Sequence, residues 1–189
     1  PHAIVASNTS GLRIADMLVG RTEAFRKNFL VTHFFNPPRY MKLLELVAGP
    51  ETSAEAKARV EAWGRELLGK GLVWAKDTPN FIGNRIGVFS MLAAMHHTQR
   101  LGLGFDTVDA LTGPAIGRPK SATYRTADVV GLDTMAHVIK TMADTLPNDP
   151  WHAHFAAPKW LQALIAKGAL GAKTGAGIYT KRGKDILVL

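Results

Sequence analysis

The pattern of apolar and polar positions divides the chain into two parts. In the first part, short apolar runs typical of strands occur at residues 4–6, 29–31, 42–47 and 72–76. Two helices are predicted between these strands. A short helix covers 12–19, and a longer one runs from a cap at Thr52 or Ser53 to about Leu68. The residues on one face of this longer helix are Ala56, Val60, Trp63 and Leu67. This alternation predicts an α/β fold.

The second part shows helical spacing almost throughout. Asp77-Thr78-Pro79 joins a capping side chain to a proline suited to a first turn, which predicts a long helix from about Asn80 to Leu101. The residues expected to face a core are Ile82, Ile86, Phe89 and Ala93. Further helices are predicted over 106–111, 122–129, 132–146 and 157–167, with a core or interface seam at Met135, Ile139, Met142 and Leu146. The overall fold class is therefore α/β followed by all-α.

One titratable pair falls inside the predicted strands. His33 lies at the end of an apolar strand that is followed by Pro37 and Pro38, which cannot donate ladder hydrogen bonds. Glu45 is the one acid in the next apolar run, and it needs a partner because burying a lone carboxylate is costly. A carboxylate on one imidazole nitrogen fixes the tautomer and stabilises the imidazolium. The pattern predicts either an acid–base pair or two separately satisfied strand residues.

Composition narrows the function classes. The 189 residues carry a formal net charge of +8, which suits nucleic acid, an anionic surface or a phosphate-rich ligand. The basic residues are scattered and no nucleic-acid motif accompanies them, so nucleic-acid binding is not expected. No apolar stretch reaches the roughly twenty residues of a membrane span. The absence of cysteine excludes disulfides and thiolate metal sites and is compatible with the cytoplasm, where we expect the protein.

Glycine and histidine clusters suggest other sites that their spacing does not support. In the glycine-rich segment 168–177, Ala172 precedes Lys173 where a Walker loop needs glycine. The histidines at 96–97 and 152–154 lack the i, i+4 spacing of a zinc site and have no acidic or cysteine neighbours, so no metal is predicted. The dinucleotide-binding motif G-x-G-x-x-G occurs nowhere in the chain.

Four segments in order resemble one known family. They are ASNTS at 6–10, HFFNPPRYMKLLELV at 33–47, KDTPNFIGNR at 76–85 and KTGAGIY at 173–179. The second is similar to the catalytic segment of L-3-hydroxyacyl-CoA dehydrogenases, whose pattern is H-F-F-N-P, then M-K-L, then E. The loop at 113–120 resembles the dehydrogenase of fused hydratase–dehydrogenase proteins more than the small single-function enzymes. Together the four segments span nearly the whole chain.

The resemblance implies a domain organisation and an activity. Residues 1–77 are expected to be the C-terminal portion of a Rossmann-like NAD-binding domain without its glycine fingerprint, and residues 78–189 a helical substrate and dimerisation domain. The implied reaction is the oxidation of an L-3-hydroxyacyl-CoA to the 3-oxoacyl-CoA in fatty acid β-oxidation, with NAD as cofactor. A homodimer through the helices from Leu132 onward is also implied.

The resemblance assigns roles to individual residues as well. His33 would take the hydroxyl proton as hydride leaves for the nicotinamide, and Glu45 would stabilise the imidazolium. Ser10 and Asn84 would position the substrate oxygen. The alternative for Ser10 is a purely structural role as the N-cap of the helix predicted over 12–19. The residues implied to lie at the cofactor are Asn8, Ser10 and Asn36.

The sequence starts at Pro1, directly before the apolar run at 4–6, and it ends with four apolar residues at 186–189. We expect a fragment of a longer protein on this ground, because domain boundaries usually fall in polar linkers. The alternative hypothesis is that the chain alone is a non-catalytic acyl-CoA-binding and dimerisation module. It is favoured by the missing glycine motif, since a chain without a pyrophosphate site is expected to bind NAD weakly and to be inactive alone.

Overall fold

The computed structural model describes residues 2–183 and 185–188, which form two compact units divided between Arg85 and Ile86. Pro1 and Leu189, the ends of the predicted fragment, lie outside the described residues. The first unit contains a sheet of four strands in the order β1 (Val5–Ser7), β2 (Phe29–Phe34), β3 (Leu43–Ala48) and β4 (Gly71–Ala75). The pairs β1–β2 and β3–β4 are parallel, whereas β2–β3 is antiparallel. The predicted strands are confirmed.

Apolar side chains cover both faces of this sheet. Because successive strand residues point to opposite faces, Phe29 and Val31 join one cluster and Leu30 joins the other. The helices of the unit are α1 (Ile14–Met17), α2 (Glu23–Lys27) and α3 (Ala54–Ala62). The predicted cap of α3 is confirmed, since the Ser53 hydroxyl accepts the Ala56 N–H at 3.1 Å.

The predicted apolar face of α3 is only half right. Ala56 and Val60 are buried, but Trp63 and Leu67 are 40% and 78% exposed. A π-helical turn over Trp63–Leu67 follows α3, so the α-helical spacing behind the predicted face does not continue as far as Leu67. Gly64 is buried in their place.

The second unit is helical with a terminal hairpin. Its helices are α4 (Gly83–Leu101, which begins just before the division), α5 (Phe105–Thr112), α6 (Tyr124–Val130), α7 (Leu132–Thr145) and α8 (Lys159–Ala166), with 3-10 turns at Pro114–Ile116, His152–His154 and Ala172–Thr174. Strands β5 (Tyr179–Arg182) and β6 (Asp185–Val188) form an antiparallel hairpin that the sequence did not predict. The seam of Met135, Ile139 and Met142 lies in the core, as predicted. None of the helices in 2–183 and 185–188 is both long and apolar enough to cross a bilayer.

The core face of α4 differs from the prediction. The positions Ile82, Ile86 and Phe89 are between 36% and 62% exposed, and the buried positions are Val88, Met91, Leu92 and Met95. Both faces of this helix carry apolar residues, so spacing alone does not choose between them. The helix also starts at Gly83 rather than Asn80, because Asn80 and Phe81 have φ of +63° and +47°, in the left-handed region that no α-helix uses.

The glycine-rich tail is a tight turn that depends on one close approach. The buried Asp128 carboxylate accepts the N–H groups of Ile178 and Tyr179 at 2.9 and 2.8 Å, which fixes the tail on α6. Gly171, with φ of +97°, packs so closely on the Asp128 backbone that a Cβ there would overlap it. Gly175 also has a positive φ, +72°, but has open space around it.

Gly171→Ala is expected to destabilise the second unit more than the matched Gly175→Ala. Both substitutions place a side chain at positive φ, and only Gly171→Ala adds the overlap with Asp128, which costs about 2 kcal/mol more. Denaturant unfolding of the two variants measures the difference in free energy. Equal losses would contradict the close approach.

Candidate active site

The antiparallel register of β2 and β3 places His33 directly opposite Glu45. Directly opposite residues in such a pair project their side chains from the same face of the sheet, and here Nδ1 of His33 lies 2.7 Å from a Glu45 carboxylate oxygen, Oε2. His33 is 6% exposed and Glu45 is fully buried. The sequence prediction that these two residues meet is confirmed. With Nδ1 engaged by Glu45, Nε2 is the imidazole atom left to exchange a proton with a ligand.

The second carboxylate oxygen of Glu45 is held by the main chain. Its Oε1 accepts the N–H groups of Ile82 at 3.0 Å and Gly83 at 2.6 Å, where α4 begins and N–H groups have no partner within the helix. Burial pushes the pKa of Glu45 upward, but the hydrogen bonds from His33, Gly83 and Ile82 together outweigh it and hold the pKa below its ordinary value. Glu45 is therefore ionised at neutral pH, and its negative charge faces the imidazole of His33.

Two aromatic rings flank the imidazole of His33. The ring of Phe35 contacts it edge-on at 4.7 Å between centroids, and the ring of Phe81 does so at 5.6 Å. Gly83 makes the first contact possible, because a Cβ at that position would overlap the Phe35 ring. These apolar walls exclude water from the pair and strengthen its electrostatic interaction.

The polar loop at residues 8–10 lies beside the end of β2. The Asn8 side-chain oxygen accepts the N–H of Phe34 at 2.9 Å, one residue beyond His33, and the Ser10 carbonyl accepts the N–H of Asn80 at 3.2 Å. Because β1 and β2 are parallel, this loop leaves the sheet at the carboxyl ends of both strands, the edge at which open α/β sheets bind ligands. The loop is thus placed where a nicotinamide and a substrate could meet His33.

The structure leaves the remaining predicted roles open. Asn84 lies in the first turn of α4, next to Gly83. Asn36 is exposed in the bend after β2. Among the described residues, no hydrogen bond joins Ser10, Asn36 or Asn84 to His33. Ser10 does not cap a helix, since α1 begins four residues later. The site roles of these residues therefore stay predictions.

The sequence analysis did not identify the residues that hold the His33–Glu45 pair and the neighbouring segment 10–14 in place. Asp77 was predicted to cap α4, yet its carboxylate accepts the N–H of Ile14 at the start of α1. Ile82 and Gly83 act through main-chain N–H groups, which any residue but proline supplies. The signal that was available is Gly83, a residue with poor helix propensity at the start of a long helix, which indicates a close approach. In the described part of the chain, no group of three or more histidine or acidic side chains is arranged to hold a metal ion.

Comparison with known proteins decides the family. Residues 1–78 match the family model described as 3-hydroxyacyl-CoA dehydrogenase, NAD binding domain, and residues 81–181 match the model described as 3-hydroxyacyl-CoA dehydrogenase, C-terminal domain. The chain belongs to the 3-hydroxyacyl-CoA dehydrogenase family. The resemblance and the fold class predicted from the sequence are both confirmed, and so is NAD as the cofactor of the family's first domain.

Among its relatives in the 3-hydroxyacyl-CoA dehydrogenase family is a probable 3-hydroxyacyl-CoA dehydrogenase of Bacillus subtilis, 48% identical over 187 residues, or 99% of this chain and 24% of the relative. A putative fatty acid oxidation complex trifunctional enzyme of Rickettsia prowazekii is 33% identical over 178 residues, 94% of this chain and 25% of the relative. The crystal structure of Mycobacterium tuberculosis FadB2 matches with a TM-score of 0.82 and 30% identity, covering 95% of this chain and 61% of that one. The chain thus spans from about a quarter to about three fifths of the length of the curated relatives it matches.

Proposed function

We propose that the protein containing this chain oxidises the 3-hydroxyl group of an L-3-hydroxyacyl-CoA to the 3-oxo compound. The observation that carries the proposal is the buried His33–Glu45 pair, joined at 2.7 Å beside a ligand-binding edge of the sheet. Oxidation of an alcohol removes a proton from oxygen and a hydride from carbon. NAD supplies the hydride acceptor when it is bound. The proton is the part of the chemistry that this chain's own residues handle.

In the proposed reaction His33 is the general base. Its Nε2 accepts the hydroxyl proton, while Glu45, bound to Nδ1, offsets the positive charge that forms on the ring. Ser10 and Asn84 are proposed to hold the substrate oxygen. The residues proposed to lie on the nicotinamide side are Asn8, Ser10 and Asn36. Support for these roles comes from the positions of the loop at 8–10 and of the first turn of α4, on either side of the pair.

The cofactor fits this chain on its nicotinamide side only. The carboxyl edge of β1 and β2 carries a polar loop suited to the carboxamide and ribose, whereas the sequence contains no G-x-G-x-x-G loop to hold the pyrophosphate. We propose residues 1–77 as the C-terminal portion of the NAD-binding domain and residues 78–189 as the substrate domain. The Rickettsia relative's name supports a role in fatty acid β-oxidation.

Reduction of NAD, followed by its absorbance at 340 nm, tests the proposal directly. The enzyme is expected to reduce NAD with L-3-hydroxybutyryl-CoA or with a longer L-3-hydroxyacyl-CoA. The D isomers of the same thioesters are the matched control and are expected to give no reduction. Absence of reduction with L substrates of short, medium and long chains would contradict the proposed function.

A second candidate function applies to the 189-residue chain on its own. Because its sequence lacks the pyrophosphate-binding motif, the chain alone is proposed to bind acyl-CoA without catalysing its oxidation. In isothermal titration calorimetry, acyl-CoA is expected to bind while NAD shows no micromolar affinity, since the motif supplies both charge and main-chain contacts. Micromolar NAD binding would contradict this candidate.

The family resemblance also supports a homodimer through the helices from Leu132 onward. Among the described residues, the exposed large apolar side chains of the second unit, such as Val129 at 69% and Ile186 at 52%, lie outside these helices, so the resemblance alone carries this proposal. Light scattering is expected to give twice the mass of one chain. A monomeric mass at micromolar concentration would contradict the dimer.

A further inference from the structure

One short segment of the first unit contacts both the loop at Ser10 and the His33–Glu45 pair. This segment, residues 77–83, leads from β4 to α4 and is here named the 77–83 strap. It adopts an unusual path, because Asn80 and Phe81 both have positive φ. Asparagine tolerates the left-handed region better than most residues, whereas phenylalanine does so only when its surroundings hold it there. The backbone conformation of the strap is thus held by its surroundings, and the strap is not a flexible linker.

On one side the strap holds the loop that carries Ser10. Both carboxylate oxygens of Asp77 lie 3.1 Å from the N–H of Ile14, the first residue of α1. Three residues further on, the N–H of Asn80 donates to the Ser10 carbonyl at 3.2 Å. The strap therefore forms hydrogen bonds to both ends of the segment 10–14. Helix α1 has only four residues and cannot stabilise its own start, so its position depends on such outside contacts.

On the other side the strap holds the acid–base pair. The ring of Phe81 lies edge-on to the imidazole of His33 at 5.6 Å. The next two N–H groups, of Ile82 and Gly83, bind Oε1 of Glu45. Residues 81–83 thus fix the imidazole and its carboxylate, while residues 77–80 fix the loop at Ser10. Together with the Asn8–Phe34 hydrogen bond, this segment therefore sets the distance between the two halves of the site.

We propose that Asp77 is a positioning residue for the dehydrogenase reaction, acting through Ser10. Its carboxylate makes a charge-assisted hydrogen bond to the Ile14 N–H, and such bonds are stronger than neutral ones. Without that bond the segment 10–14 keeps only the Asn80 contact at its Ser10 end, and the Ser10 hydroxyl is expected to move relative to His33. A misplacement of about 1 Å in a reacting constellation costs about 10²-fold in rate. This inference rests on the proposed function, because it assigns Ser10 to the substrate oxygen.

A double-mutant cycle in the full enzyme tests the inference. D77N keeps the shape of the side chain and removes its charge; S10A removes the hydroxyl through which Asp77 is proposed to act. D77N alone is expected to lower kcat by between about tenfold and about a hundredfold, with a smaller change in KM, because only the reacting geometry is disturbed. In the S10A background, D77N is expected to cause little further loss. The matched control is D16N, which removes the charge of an exposed carboxylate in α1 itself.

Two results would overturn the inference. One is a D77N enzyme with the kcat of D16N. The other is a D77N effect that adds in full to that of S10A, which would show that Asp77 acts independently of Ser10. If D77N does not fold, D77S enters the same cycle with the same expectations, because a serine hydroxyl is compatible with a helix start but accepts an N–H more weakly than a carboxylate does. Turnover of a His33→Gln enzyme distinguishes failure of the proposed function from failure of this inference. Unchanged turnover of His33→Gln would contradict the proposed function. Lost turnover of His33→Gln, together with an unchanged kcat of D77N, would contradict the role of Asp77 alone.

Discussion

Replacing His33 with glutamine is expected to lower kcat by about 10²–10⁴-fold, the contribution of a positioned general base. Glutamine keeps a hydrogen-bond donor near Glu45 but does not accept a proton at neutral pH. The fold should survive, because the substitution keeps a polar side chain opposite Glu45 in the β2–β3 pair. Steady-state NAD reduction with an L-3-hydroxyacyl-CoA measures the loss.

The control for this variant is His137→Gln, which changes an exposed histidine on α7. It is expected to keep the turnover of the unmodified enzyme. Near-normal turnover of His33→Gln would refute the assignment of the base. A loss shared equally by both variants would show that the assay reports stability rather than chemistry.

Replacing Glu45 with glutamine is expected to produce the largest loss of stability in the first unit. Removal of one partner from a buried ion pair typically costs about 3–5 kcal/mol, and Glu45 is fully buried with three groups arranged around its carboxylate: the His33 imidazole and the N–H groups of Ile82 and Gly83. An amide presents an NH₂ group where one carboxylate oxygen was, so it cannot accept from both sides. Urea unfolding at pH 7 measures the difference.

The same variant makes a prediction about pH. The pKa of Glu45 in the folded protein lies below its ordinary value of 4.5, so the unfolded chain binds this proton more readily than the folded one. The stability that Glu45 contributes is therefore fully present above about pH 4.5 and is lost as the pH falls through the lower, folded-state pKa. The gap between the two proteins is expected to narrow in that acid range.

Glu66→Gln is the control for both measurements, since Glu66 is exposed. Its unfolding free energy is expected to differ from the unmodified protein by less than about 0.5 kcal/mol. If the gap between Glu45→Gln and the unmodified protein stays constant from pH 6 to pH 3, then Glu45 does not titrate below its ordinary range. That outcome would contradict the electrostatic account of the site.

The strands and the meeting of His33 with Glu45 could be predicted because their causes are local. Apolar runs bounded by turn residues specify strands, and an acid inside such a run calls for a partner. The start and core face of α4 could not be predicted. Its apolar residues lie on both faces, and the positive φ of Asn80 and Phe81 leaves no trace in residue type beyond a single asparagine.

The contacts that complete the site were hidden for a related reason. Ile82 and Gly83 bind Glu45 through main-chain N–H groups, and since every residue except proline has such a group, the residue type does not reveal this contact. Asp77 looked like a cap for the helix that follows it, and sequence spacing favours such local partners. The actual partner, Ile14, is 63 residues away in the chain. Sequence reasoning found the His33–Glu45 pair and missed most of the contacts that hold it in place.

The antiparallel register of β2 and β3 ties the chemistry to the strand pairing itself. Strand side chains alternate with a period of two, so a slip of one residue would turn the imidazole and the carboxylate to opposite faces. The turn at 35–42 that joins the two strands shares this constraint at its start, because it carries Phe35, whose ring flanks the imidazole, and Asn36, which is proposed to lie on the nicotinamide side. Residues can thus be gained or lost only beyond these two positions without disturbing the surroundings of the pair, which confines changes of length to the later part of the turn.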